Sequence, residues 1–200
     1  MKGEHTKIIL AEALMDLMLD KPLDDISIAE IIAAGKLSRR TFYYHFRDIE
    51  DLVCWIFDWE VINYLGVQDV IIDKAGQRKY FVDALRNHMY RNRSFYVNAI
   101  RSAVGNELRK HIYEFIYGYR HQQILKILGD RVLDPKGIKF LTSYFTHAIV
   151  GNTIDWVEEG MPCPPNNLDG GYRDVTTRCM RFILDEYAID KEAGKQAGPE

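Results

Sequence analysis

Cysteine is scarce in this chain of 200 residues: Cys54, Cys163 and Cys179 are the three it has. Their odd number and wide spacing exclude a disulfide framework and a paired CxxC metal site, and they read as reduced thiols of a cytosolic protein. None of the six histidines stands at a metal-ligand spacing such as HxxxH, so no metal is expected. Nor is there a GxSxG nucleophile turn, a P-loop or a Gly-rich turn after a strand. An enzyme is therefore not expected, and no cofactor is implied. No stretch approaches the ~18 uninterrupted apolar residues of a membrane span, because Lys, Arg, Asp or Glu breaks every run. The polar start, Met1 to Lys7, lacks the basic region, apolar core and cleavage site of a secretory signal. A cytoplasmic protein with no membrane partner is expected. The net charge of -3 excludes a uniformly basic nucleic-acid binder, so the distribution of charge matters more than its sum. Internal repeats and low-complexity tracts are absent, as is nearly all sustained alternation of the strand type.

What is present is helical periodicity. A content of 47% hydrophobic and 28% charged residues suits an ordinary globular chain with a packed core. Apolar pairs Ile9-Leu10, Ala13-Leu14 and Leu17-Met18 return every four residues and lay one stripe along a helix from about Thr6 to Leu19. Asp20 to Asp25 supplies turn chemistry, with Pro22 removing a backbone donor. Ser27, with Glu30 three residues on, is in capping-box register for a second helix burying Ile28, Ile31 and Ile32. Gly35 to Leu37 interrupts the pattern, and Ser38 caps a short third helix that ends near Phe46. A fourth, from about Ile49 to Asn63, turns Leu52, Val53, Ile56 and Phe57 inward. Asp73 to Lys79 reads as a connection. Five more helices are predicted at about Tyr80 to Arg91, Ser94 to Val104, Leu108 to Leu128, Pro135 to Glu159 and Tyr172 to Asp190. The prolines and asparagines of Gly160 to Asn167 mark a loop. The fold class predicted is all-α, with an N-terminal three-helix unit and a C-terminal helical bundle.

Two short capped helices joined by a tight turn and preceded by a longer one follow the helix-turn-helix plan, in which the later helix enters the major groove. Charge placement supports that plan. Residues 1–60 hold seven Lys or Arg against twelve Asp or Glu, yet Ile31 to Arg47 contains no acid and carries Lys36, Arg39, Arg40 and Arg47. One cationic spot on an acidic domain concentrates attraction for a polyanion where it would dock. Thr41, Tyr43, Tyr44 and His45 add the hydroxyl and imidazole donors that position a duplex through its phosphates.

Three strings, Ser27 to Ile32, Leu37-Ser-Arg-Arg-Thr-Phe-Tyr-Tyr-His-Phe46 and Glu50-Asp-Leu52, resemble the amino-terminal signature of the TetR family over roughly the first 60 residues. The resemblance implies a dimeric DNA-binding regulator with residues 1–48 as the helix-turn-helix domain, 49–190 as a helical sensing and dimerisation domain, and 191–200 as a tail. It makes Phe42 and Phe46 core residues. Ser27, Lys36, Ser38, Arg39, Arg40, Thr41, Tyr43, Tyr44 and His45 become the candidate DNA contacts. Two departures stand out: Lys36 occupies the turn position where the family carries glycine, and Ile49 stands where it commonly places a phosphate-holding lysine. Asn92 to Tyr96, Ser143 to His147 and Gly151 to Trp156 are similar to TetR-like regulators of the dihydroxyacetone-kinase type, some of which answer to a protein partner.

The stretch Phe81 to Phe145 is crowded with aromatics and histidines, and a ligand pocket with aromatic walls and a few polar tips is expected at His88, Tyr96, Phe115, Tyr119, Tyr144 and His147. Surplus apolar residues on the last two helices, Phe140, Ile149, Ile154, Trp156, Met180, Ile183 and Tyr187, point to a two-fold dimer interface. Two recognition helices one DNA turn apart read a pseudo-palindrome. The partners implied are a double-stranded DNA operator, a second copy of the chain, and a small-molecule effector. The alternatives are control by a protein partner, or a helical interaction module with weakened DNA binding.

Overall fold

A computed structural model of the chain describes residues 2–65, 70–72, 78–165 and 175–190. The helices are α1 (Lys2–Asp20), α2 (Ile28–Ala34), α3 (Arg39–His45), α4 (Ile49–Leu65), α5 (Phe81–Arg91), α6 (Arg93–Arg101), α7 (Gly105–Leu128), α8 (Pro135–Glu158) and α9 (Val175–Tyr187), with a 3-10 turn at Leu23–Asp25. Among the described residues, strand is limited to two short antiparallel pairs. β1 (Val70–Ile72) lies against β2 (Arg78–Tyr80), with Val70 opposite Tyr80, and β3 (Arg131–Val132) against β4 (Ile189–Asp190), with Arg131 opposite Asp190. The protein is all-helical in class.

Where boundaries differ from the sequence reading, local chemistry explains them. α1 begins at Lys2 rather than Thr6, with Glu4 in its first turn complementing the helix dipole. α6 stops at Arg101, not Val104. Ser102 leaves helical backbone at φ -81 and ψ 175, and its hydroxyl donates to the Ala99 carbonyl at 2.7 Å. α7 starts at Gly105, three residues earlier than expected, and a Cβ there would lie 2.1 Å from the Ile100 carbonyl oxygen, so this approach demands glycine. The last helix ends at Tyr187, and the chain then pairs as β4. Of the expected connection at 73–79, residues 73–77 lie outside the described residues, as do 166–167 of the proline loop, 172–174 before the last helix, and the tail 191–200.

The chain groups into two compact units, residues 1–111 with 154–165, and residues 112–153 with the C-terminal stretch that holds α9. In the first, α1 packs on α2, α3, α4 and α6. Leu10 and Leu14 of α1, Ile31 of α2, Phe42 of α3, and Leu52, Ile56 and Phe57 of α4 are all without solvent exposure. Removing any of these large side chains would cost about 2–5 kcal/mol. Glu60 of α4 is buried but not isolated: it accepts from Tyr96 Oη at 2.9 Å, faces His88 Nε2 at 3.1 Å, and accepts from Asn92 Nδ2 at 3.3 Å. Burial, and then the Glu60 charge, push the Tyr96 phenol well above its ordinary pKa, so it remains a donor. Cys54, half-buried near acids, is pushed up to about 11 and is a poor nucleophile. Asn98 of α6 clips the end of α1 to the following turn. Its Oδ1 accepts from Leu23 N at 2.8 Å, and its Nδ2 donates to the carbonyls of Lys21 at 3.0 Å and Met18 at 3.3 Å.

In the second unit the core is Ile124 and Leu128 of α7, Leu141 and Phe145 of α8, and Met180 and Leu184 of α9. Thr142 and Thr146 are buried, and their hydroxyls donate to the carbonyls of Ile138 and Thr142 four residues back, at 2.7 and 2.6 Å. Arg131 joins Asp185 of α9 at 2.7 Å and donates to the Ile127 carbonyl near the end of α7 at 3.1 Å.

Asn98→Ala should destabilise the protein by about 1–3 kcal/mol, since it strands one amide and two carbonyls that the side chain satisfies. Urea unfolding followed by circular dichroism measures this, and a change below about 0.5 kcal/mol would mean that water replaces the clip.

Candidate nucleic-acid interface

The exposed unit is α2, its turn and α3. Ser27 caps α2 with a complete capping box: its hydroxyl accepts from Glu30 N at 3.3 Å, while the Glu30 carboxylate accepts from Ser27 N at 2.9 Å. Lys21 holds the other Glu30 oxygen, and with the Ser27 bonds it pulls the Glu30 carboxyl down to about 2. A carboxyl with a depressed folded pKa stabilises above its unfolded value of about 4.3, and that support is lost as pH falls toward 2. Ser38 caps α3 by accepting from Thr41 N at 3.1 Å.

Between the two helices the chain closes as a Schellman turn, with Leu37 N bonded to Ile32 O at 2.8 Å and Lys36 N to Ala33 O at 3.2 Å. Gly35 is right-handed at φ -77, and it is Lys36 that takes the left-handed conformation, at φ 51. The turn has therefore not shifted to accommodate the lysine. Gly35 answers a different need, because a Cβ there would come within 3.2 Å of Ile9 Cγ2 on α1.

α3 splits cleanly by face. Phe42 is wholly buried and Phe46, just beyond the helix, is 3% exposed, their ring centroids 6.0 Å apart. Arg39, Arg40, Tyr43 and Tyr44 are exposed, Tyr44 most of all at 83%. Thr41 and His45 are half-buried at the edges of that face. The Arg39 guanidinium lies 5.9 Å from the Tyr43 ring centroid. Lys21 is spent on Glu30 and Arg47 on Asp48 at 3.1 Å, whereas among the described residues Lys36, Arg39 and Arg40 meet no carboxylate. Their charge is available to a polyanion. Desolvation, and secondly the nearby Lys7 ammonium, hold His45 below its ordinary pKa, so at neutral pH it is uncharged.

The residues nominated for a ligand pocket fall in both units. His88 and Tyr96 are buried in the first, where both bind Glu60. Phe115 and Tyr119 are half-buried in the second, and Tyr144 and His147 are exposed on α8. The last two correct the expectation of pocket walls. A groove of about 660 Å³ does exist in the first unit, between the end of α1 with its turn and α6, but none of the six lines it.

The dimer residues divide in the same way. Phe140 and Tyr187 are exposed, at 66% and 71%. Ile149, Ile154, Trp156 and Met180 are buried within the single chain, and Ile183 packs against its core. Trp156 donates to the Cys163 carbonyl at 3.0 Å and stacks on Tyr90, so it anchors the first unit. The outward apolar residues that the sequence reading missed are Val175, Phe182 and Ile189. The 140, 144, 147, 151 spacing along α8 and the 175, 179, 182 spacing along α9 were the signal that would have found the outward faces.

Residues 9–54 match the family model described as bacterial regulatory proteins, tetR family, and residues 79–170 match one described as a transcriptional regulator C-terminal region. The chain belongs to the TetR family. A similar curated protein is the HTH-type dhaKLM operon transcriptional activator DhaS of Lactococcus lactis subsp. lactis (strain IL1403), 36% identical over 78 residues. That match takes in 36% of this chain and about two-fifths, 42%, of the relative. Among solved structures, a dihydroxyacetone kinase operon activator DhaS superposes with a TM-score of 0.59 at 19% identity, over 92% of this chain and 98% of that one. A transcriptional regulator from Rhodococcus sp. Rha1 gives 0.53 at 16% identity, over the same shares. These two likenesses are of fold.

Lys36, at φ 51, takes a left-handed conformation that glycine adopts without strain. Lys36→Gly should relieve the left-handed strain and raise stability by about 1 kcal/mol, while removing one exposed cation. Thermal unfolding checks the first effect, and a lowered midpoint would show that the Lys36 stem packs well enough to outweigh its backbone.

Proposed function

We propose that this TetR family chain regulates transcription as a homodimer on a pseudo-palindromic DNA operator, in the cytoplasm. Residues 1–48 grip the duplex, and 49–190 sense a signal and dimerise. The observation that carries the reading is α3. It presents Arg39, Arg40, Tyr43 and Tyr44 outward from a base of buried Phe42 and Phe46, beside an exposed Lys36. Such a helix places a bidentate arginine on a base edge while its tyrosines and Thr41 position it through phosphates. Ser27, Ser38 and His45 complete the DNA-facing set, the two serines through their exposed caps. Among the described residues no helix is long and apolar enough to cross a membrane.

Support for the second copy comes from the second unit, which holds α9 and α8 up to Thr153. Phe140, Tyr144, Phe182, Tyr187 and Ile189 are each more than half exposed, an apolar surface of the kind that monomers rarely leave open. The signal is a small-molecule effector in this reading, read by the aromatic region that includes Phe115 and Tyr119. Control by a protein partner is the second reading, favoured by Tyr144 and His147 standing on an outer face.

Selection of bound duplexes from a random pool with the purified protein should return a palindromic consensus. Failure to enrich any duplex would leave only the interaction-module reading. Arg40→Ala should weaken consensus binding by about 1–3 kcal/mol and relax specificity at one position. Equal losses on consensus and scrambled DNA would make Arg40 a phosphate anchor instead. Sedimentation equilibrium without DNA should give twice the chain mass at micromolar concentration, and a monomer mass would remove the half-site argument.

A further inference from the structure

The DNA-facing set named so far lies wholly on α2, its turn and α3, yet one further cation is held in place beside it. Lys7 of α1 points its ammonium between two rings, 5.4 Å from the centroid of Phe46 and 5.4 Å from that of Trp55. Those rings meet each other edge-on at 5.7 Å, and Trp55 is in turn stacked on Trp59 at 5.8 Å. Lys7 is half-buried, and among the described residues it meets no carboxylate. Gly3, one helical turn before Lys7 and on the same face, lies against His45, with a Cβ there 3.6 Å from His45 Cε1. The first turns of α1 therefore border the end of α3, and the Lys7 charge is felt at the His45 ring.

The side chains at the start of α4 are already engaged with one another. Asp48 Oδ1 already binds Asp51 N at 2.8 Å, Asp51 reaches back to Arg47 N at 3.0 Å, and Arg47 is paired with Asp48. With Glu50 beside them, the start of α4 carries three carboxylates, and the Ile49 side chain offers no donor. An anion there would be repelled. The N-terminal part of a recognition helix contacts base edges while the DNA backbone passes its flanks, so the last turn of α3 is where a phosphate strand needs a cation.

We propose that Lys7 is a DNA backbone anchor, a positioning residue on α1 whose ammonium the Phe46 and Trp55 rings hold toward the phosphate strand that passes the end of α3. The rings restrict a long flexible side chain before DNA arrives, so less of its freedom is lost on binding. The alternative is that Lys7 serves only to clip α1 onto α4. A clip contributes to stability but releases no counterion from DNA.

This inference rests on the DNA-binding reading above, and the experiment keeps the two apart. Binding of a 20-base-pair duplex of arbitrary sequence is measured at several salt concentrations for the wild-type protein, Lys7→Gln, Lys7→Met and Lys7→Arg, with thermal unfolding of each. Lys7→Met keeps an apolar stem on the rings and so a folded protein. Both neutral variants should lose roughly five- to tenfold in affinity at 0.1 M salt, and the slope of log K against log salt should become shallower by roughly one unit. Lys7→Arg should retain the wild-type slope. Adding Ile49→Lys to Lys7→Met should restore it, by supplying a second amine at the same corner. An unchanged slope in folded Lys7→Met overturns the anchor and leaves the clip, whatever its unfolding temperature. A wild-type protein that binds no duplex at any salt overturns the DNA-binding reading itself.

Discussion

Phe42 fixes the aim of the exposed helix. It sits in the middle of a seven-residue helix that packs on α2 and α1, has no solvent exposure, and lies beside Phe46. A helix this short has little stability of its own. Its orientation is therefore set almost entirely by which side chain is buried, and burying position 42 turns 40 and 44 away from the core, with 39 and 43 on the flanks. Loss of that ring would leave a cationic peptide without a fixed direction, and direction is what separates a base contact from general attraction to phosphate.

Around this anchor the charges are sorted by pairing rather than by number. The first 60 residues carry more acid than base, and the pairs Lys21–Glu30 and Arg47–Asp48 tie up cations that would otherwise blur the surface. Lys36, Arg39 and Arg40 remain without carboxylates. Surface pairs of this kind contribute little to stability, so their main physical effect here is on the field that an approaching polyanion meets. The capping box at Ser27 fixes the start of α2, and the Glu30 charge is met by Lys21.

Inside the first unit the buried carboxylate of Glu60 plays a different part. Tyr96, His88 and Asn92 each supply a partner, so the cost of burying it is met by directed bonds. Apolar packing tolerates small rotations of a helix, whereas three directed bonds to one carboxylate do not. α4 is thereby held in register against α5 and α6, and Asn98 does the same for the end of α1.

By itself the sequence determined the helical class, the two capped helices, the buried pair Phe42 and Phe46, and the cationic face opposite them, because caps and a 3.6-residue period are local properties that neighbours in sequence express directly. Lys36 was legible as an anomaly, but only the turn geometry showed that it takes the left-handed conformation itself. The C-terminal helices were less legible. Ile149, Ile154, Trp156 and Met180 read as surplus apolar surface, yet they are buried within the chain, while Phe140, Phe182 and Tyr187 are exposed. Tyr144 and His147 looked like pocket walls and stand outward. Periodicity tells that a residue prefers burial, not which surface buries it. That choice depends on which helices pack together across long separations in the chain, and only the tertiary structure makes it. The same holds for Lys7, an unremarkable residue of α1 until folding brings the Phe46 and Trp55 rings to either side of it.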